Sequence, residues 1–132
     1  MLDTSTVILL GRLTDPVALP EELVISAITL AELSVGPHVA HSENERAARQ
    51  AHLQQAESDF DVLPFDADSA RAFGAVAASL RASGRKHSAR AYDALIAASA
   101  IANRLPLYSC NPTDFDGIPQ LDLRTVPHPD HT

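Results

Sequence analysis

Short apolar runs alternate with helical stretches along this chain, and that alternation narrows the possible folds more than any other feature. Leu23-Val24-Ile25, Val62-Leu63-Pro64-Phe65, Leu105-Pro106-Leu107-Tyr108-Ser109 and Leu121-Asp122-Leu123-Arg124-Thr125-Val126 read as strands, with Leu2 as the tail of a very short first one. Between them, Asp3-Thr4-Ser5 supplies N-cap residues for a helix through Val7-Ile8-Leu9-Leu10, broken by Gly11 and Asp15-Pro16. A second helix follows Ser26, carries Thr29, Glu32 and Leu33, and closes at Gly36-Pro37. Ser42 with Glu45 fits a capping box opening a long polar helix, with Leu53 and Ala56 on its inner face. Asp66 caps an alanine-rich helix bearing Ala70, Phe73, Val76, Ala77 and Leu80 at helical spacing, and a last helix runs from about Ser88 to Asn103. On that helix, Ala89, Asp93, Ile96, Ala97 and Ala100 share a stripe. Short strands alternating with helices predict an α/β sandwich, a central and mainly parallel sheet covered on both faces.

In such sheets, ligands bind beyond the carboxyl ends of the strands. Asp3 follows the first strand and Asp114 follows Ser109 at the end of a late one, so both belong to one rim. Glu32 and Asp93 also sit beside apolar runs, in Ile28-Thr29-Leu30-Ala31-Glu32-Leu33 and Asp93-Ala94-Leu95-Ile96. A carboxylate next to a core segment is expensive to desolvate unless it is hydrogen-bonded, paired or bound to a cation. Four of them converging make an oxygen-only donor set of the kind Mg²⁺ or Mn²⁺ prefers. Spacing alone carries this weakly, because seventeen acids offer many such quartets. Asp3 also fits a plain helix cap, Glu32 a solvated helix residue, and Asp114 a turn residue.

The same residues carry a resemblance. Leu2-Asp3-Thr4-Ser5, Ile25-Ser26 through Thr29-Leu30-Ala31-Glu32-Leu33 with Gly36, Asp93-Ala94-Leu95-Ile96-Ala97-Ala98, Leu105-Pro106-Leu107-Tyr108, Asn111 and Asp114-Phe115 occur in an order and spacing similar to PIN-domain proteins. Specifically, the chain resembles the VapC-like endoribonuclease toxins of bacterial toxin–antitoxin pairs. The resemblance implies an α/β/α sandwich and Mg²⁺- or Mn²⁺-dependent cleavage of RNA by an activated water, leaving a 5′-phosphate and a 3′-hydroxyl. It implies a cognate VapB-like antitoxin as inhibitor and a homodimer. Carried onto this chain, Asp3 and Asp93 become the principal metal carboxylates, Glu32 a further ligand or water-orienting group, and Asp114 the fourth acid, with Asp116 as its alternate. Thr4 and Ser109 become hydroxyl partners of the pocket, and Asn111 braces its loop. Ser109 stands where the family commonly has Thr, and Cys110 where it often has a basic residue, which weakens phosphate contact at that point.

Composition bounds the rest. The 132 residues fit one domain, expected over 1–126 with 127–132 as a flexible tail. No run approaches a membrane span, the start lacks a signal-peptide pattern, and the single Cys110 suits a reducing compartment, so a cytoplasmic location is expected. A net charge of −7 argues against a general nucleic-acid coat but not against an enzyme acting on RNA. Arg81, Arg85, Lys86 and Arg90 form a basic patch for RNA or a partner, or simply a solvated face. The His38/His41 and His128/His131 pairs lack the Cys- or His-rich framework of a zinc site. The competing function is an interaction protein that acts mainly in an antitoxin–DNA autoregulatory complex, its acids receiving a basic arm of the partner.

Overall fold

A computed structural model describes residues 1–13, 19–85 and 90–130. The Asp15-Pro16 breaker, Lys86 of the basic patch, Ser88 and Ala89 of the last helix, and His131 lie outside the described residues. In chain order the elements are α1 (Thr4–Leu9), β1 (Val24–Ser26), α2 (Ala27–Val35), α3 (Glu43–Asp59), β2 (Asp61–Leu63), α4 (Ala67–Ala82), α5 (Ala91–Ala102), β3 (Leu107–Ser109) and β4 (Leu123–Thr125).

All strand pairing is parallel. β1 pairs with β2 in the register Val24 to Asp61, and β3 with β4 in the register Leu107 to Leu123. The first residues of the chain join the two ladders. Leu2 donates to Val24 O at 3.0 Å on one side, while Tyr108 donates to Met1 O at 2.8 Å and Asp3 to Tyr108 O at 3.2 Å on the other. Leu2 therefore forms a parallel bridge to Tyr108 rather than a strand of its own. The expected parallel α/β architecture holds, with strands of three residues each.

Helix starts follow their caps. Asp3, Ser26, Ser42 and Asp66 each accept a backbone N–H of the first helical turn that follows. The capping box of α3 is only half formed. Ser42 accepts from Glu45 N at 3.1 Å, but the Glu45 carboxylate accepts from His41 N, one residue before the cap. At the end of α2, Gly36 enters a 3-10 turn with Pro37 in its first positions, where a missing N–H does no harm.

The core has two parts. Leu2, Ile25, Leu33, Ala56 and Phe60 gather beneath α1 and α3. A larger cluster builds around α5, in which Ala94, Ile96, Ala97, Ala98 and Ala100 are buried with Val76 and Leu80 of α4. Two expectations need correction here. The α4 stripe is Ser69, Val76 and Leu80, with Phe73 and Ala77 half-buried and Ala70 exposed, because the Asp66 cap turns Ser69 inward. In addition, α5 does not present one apolar stripe. It is buried on nearly every side from Ala94 to Ala100, which its run of small residues permits.

Candidate functional site

Each expected acid is positioned by a different element at the sheet rim. Asp3 follows the Leu2 bridge and caps α1, Glu32 lies mid-way along α2, Asp93 occupies the first turn of α5, and Asp114 sits in the 3-10 turn Pro112–Phe115 after β3. Their fields overlap at Asp93. Its carboxyl is pushed up from 3.8 to about 6, first by burial and then by the charges of Asp114, Glu32 and Asp3, with Arg90 pulling the other way. Glu32 is also raised, chiefly by burial and further by Asp3, against the lowering effect of its Thr4 hydrogen bond. Asp116 exerts no comparable influence on Asp93. It is exposed and pairs with Arg85 at 3.3 Å, so the geometry favours Asp114 as the fourth acid.

Hydroxyls hold the acids in place. Thr4 donates to Glu32 Oε1 at 2.7 Å and stands 3.1 Å from the Thr29 hydroxyl. Ser109 donates to Asp3 Oδ2 at 2.7 Å and accepts from Asn111 N at 2.9 Å. The Asn111 amide donates to Ser5 Oγ at 3.0 Å, and Ser5 donates to Asp3 Oδ2 at 3.1 Å, which closes a ring from the β3 loop to α1. Thr4, Ser109 and Asn111 all contact this network.

Sequence reading missed Thr6. It is fully buried, donates both its backbone N–H (3.0 Å) and its hydroxyl to Asp3 Oδ1, and accepts from Cys110 N at 3.0 Å. The signal was available: an Asp N-cap bonds the N–H three residues on, and that residue here carries a hydroxyl. Cys110 is buried, and burial raises its thiol, so it offers no thiolate.

The basic patch divides. Arg90 forms a close ion pair with Asp114 and lies 4.0 Å from Asp93. Arg85 reaches Asp116, and Gly117 beside it adopts φ +87°, where a Cβ would come within 2.8 Å of the Ser83 hydroxyl. Arg81 is exposed on the last turn of α4. The patch therefore borders the acids through Arg85 and Arg90.

As they stand, no three Asp, Glu, His or Cys side chains among the described residues are close enough to hold a metal ion. The reason is visible in the contacts. Arg90 draws Asp114 to itself, and four donors from Thr6, Ser5 and Ser109 fill the acceptor positions of Asp3. The donor chemistry nonetheless fits a hard divalent cation: carboxylates only, with Asp93 raised first by burial and then by the charges of the other three.

Residues 1–119 match the PIN domain family, and the chain belongs to that family. Within it, the chain is similar to proteins called ribonuclease VapC. That of Rickettsia bellii is 31% identical over 130 residues, covering 96% of each chain. Ribonuclease VapC5 of Mycobacterium tuberculosis is 38% identical over 109 residues, which span 81% of this chain and 78% of the relative. Among solved structures, VapBC-5 of Mycobacterium tuberculosis, a member of the VapBC family of toxin–antitoxin systems, matches with a TM-score of 0.81 at 34% identity, covering 95% of this chain and 96% of that one. No helix among the described residues is long and apolar enough to cross a membrane.

Proposed function

We propose that this protein is a metal-dependent endoribonuclease toxin, neutralised by a VapB-like antitoxin and acting as a homodimer on cellular RNA. The observation that carries the reading is the placement of Asp3, Glu32, Asp93 and Asp114 on four separate segments, with Asp93 raised by burial and by the charges of the other three. Nucleases of similar sequence and a toxin–antitoxin complex of similar fold support it.

Asp3 and Asp93 are the principal ligands for Mg²⁺ or Mn²⁺, Glu32 binds the ion or orders its waters, and Asp114 completes the acidic wall. When bound, the ion activates water and offsets charge on the phosphoryl group under attack. The chain's own groups supply position. Ser109 and Thr6 fix the plane of the Asp3 carboxylate, and Thr4 fixes that of Glu32. Asn111 ties the β3 loop to Ser5, keeping Asp114 at the rim. Arg90 exchanges Asp114 for a phosphate oxygen, and Arg81, Arg85 and Lys86 extend the contact with RNA or with the partner. No side-chain nucleophile is needed, since the buried Cys110 thiol is held protonated and the Thr6 and Ser109 hydroxyls are already donors to Asp3.

The test is incubation of antitoxin-free protein with transfer, ribosomal and messenger RNAs, with Mg²⁺ or Mn²⁺ and with chelator. Metal-dependent cuts with 5′-phosphate ends, lost in Asp93→Asn of unchanged fold, are expected. Well-folded protein that cuts none of these RNAs overturns the nuclease reading and leaves a partner-binding role for the acidic pocket.

A further inference from the structure

The first turn of α5 carries a large side chain that neither the core nor the acidic centre accounts for. Tyr92 is 59% exposed, and among the exposed large hydrophobic residues described, Ile8, Val35, Val39 and Tyr92, it is the most exposed and the only aromatic. It immediately precedes Asp93 on the same helix. With Ala31, Glu32 and Val35 it lines a cleft of about 260 Å³. Glu32 therefore belongs both to the acidic centre and to this cleft, so whatever lies in the cleft is next to whatever lies on the acids.

We infer that Tyr92 is the stacking platform for the RNA base adjoining the scissile phosphate, and thereby a specificity-determining residue. The inference rests on the ribonuclease reading. A phosphate held at the acids brings its neighbouring bases with it, and an unstacked base needs a flat apolar face. The cleft provides one in the Tyr92 ring, with Ala31 and Val35 as apolar walls and the Glu32 carboxylate as the polar group a base edge can meet. Its volume lies below the roughly 300–1,000 Å³ of pockets that enclose drug-sized ligands, which suits a single ring system. In a chain of net charge −7, stacking adds to the hold that Arg90 and its neighbours have on the phosphates.

The sequence contains no tryptophan, so Tyr92→Trp introduces a single fluorescent reporter at the cleft. It is built in the Asp93→Asn background, which holds RNA uncut, and titrated in Mg²⁺ with short single-stranded RNAs. Polarisation of end-labelled RNA follows binding independently. The expected result is quenching of the tryptophan in step with binding, with Tyr92→Ala weakening RNA affinity about tenfold or more and Tyr92→Phe staying within about twofold. RNA binding without quenching, or full affinity in Tyr92→Ala, overturns the inference and leaves the ribonuclease reading intact. A change of sedimentation mass in Tyr92→Ala at unchanged RNA affinity reassigns the face to a protein contact. Failure of the Asp93→Asn protein in Mg²⁺ and of the wild-type protein in Ca²⁺ to bind any RNA by polarisation removes both the inference and the ribonuclease reading.

Discussion

Asp3 has two oxygens and two tasks. As the cap of α1 it accepts from Thr6, and as a rim acid it is held by Ser5 and Ser109. The cap and site readings of this residue, which compete in the sequence, describe one carboxylate seen from two sides. Thr6 couples them, because its hydroxyl donates to Asp3 and accepts from the buried Cys110 N–H. Thr6→Val keeps the shape but strands that N–H, and should destabilise the fold by about 1–3 kcal/mol, read as a lowered midpoint in chemical denaturation. A midpoint equal to wild type would mean that the Cys110 amide has another partner. Asp93 sets a pH dependence. Its folded carboxyl holds the proton more tightly than the unfolded one, so its stabilising contribution is complete below about 3.8 and is lost as pH rises through about 6. Metal-free protein should therefore lose on the order of 1–2 kcal/mol between those values, after allowance for solvent screening. The same denaturation series on Asp93→Asn should be flatter across that window. Each acid stood out as a carboxylate beside an apolar run, whereas the hydroxyl partners Thr4 and Ser109 came only with the resemblance to PIN-domain proteins. Thr6 was overlooked although the Asp3 cap singles it out, since the N–H that an Asp N-cap bonds lies three residues on.

At the scale of elements, small residues decide the packing. Helix α5 runs through the middle of the larger core, with Ala94, Ala97, Ala98 and Ala100 buried against α4 and its surroundings. Ala97→Leu adds three carbons where no space exists, and a loss of about 1–3 kcal/mol is expected from overpacking. Thermal unfolding measures it, and an unchanged Tm would show that α4 and α5 can separate without penalty. Helix starts were readable from their caps, since Asp3, Ser26, Ser42 and Asp66 each announce one locally. Faces were less readable in alanine-rich helices. In α4, Ala70 and Ser69 differ too little in hydropathy to say which points inward, and the Asp66 bond to the Ser69 hydroxyl decides it. Strand lengths were overread for a related reason. Leu121 packs against the larger core outside β4, and Val126 is buried just past its end, where its N–H still donates to Ser109 O at 2.9 Å.

Over the whole molecule, the chain start is what unites the sheet. Met1–Asp3 bonds to β1 and to β3, so the two ladders become one parallel surface and their carboxyl ends one rim. That single connection brings Asp3 to the loop after β3, to α2 and to the first turn of α5. The parallel architecture could be read from the alternation of runs and helices. The meeting of four acids could not be read from spacing, because it depends on which strands neighbour which. It was reachable only through the resemblance to PIN-domain proteins. In the proposed function these acids form one cation centre, although Arg90 and the hydroxyl donors to Asp3 engage them as they stand. Anomalous diffraction from crystals of the antitoxin-free protein soaked in Mn²⁺ tests it most directly. The expected result is a Mn²⁺ peak between Asp3 and Asp93, with the Arg90 guanidinium detached from Asp114. Strong Mn²⁺ peaks elsewhere on the molecule, with none at these acids, would contradict it.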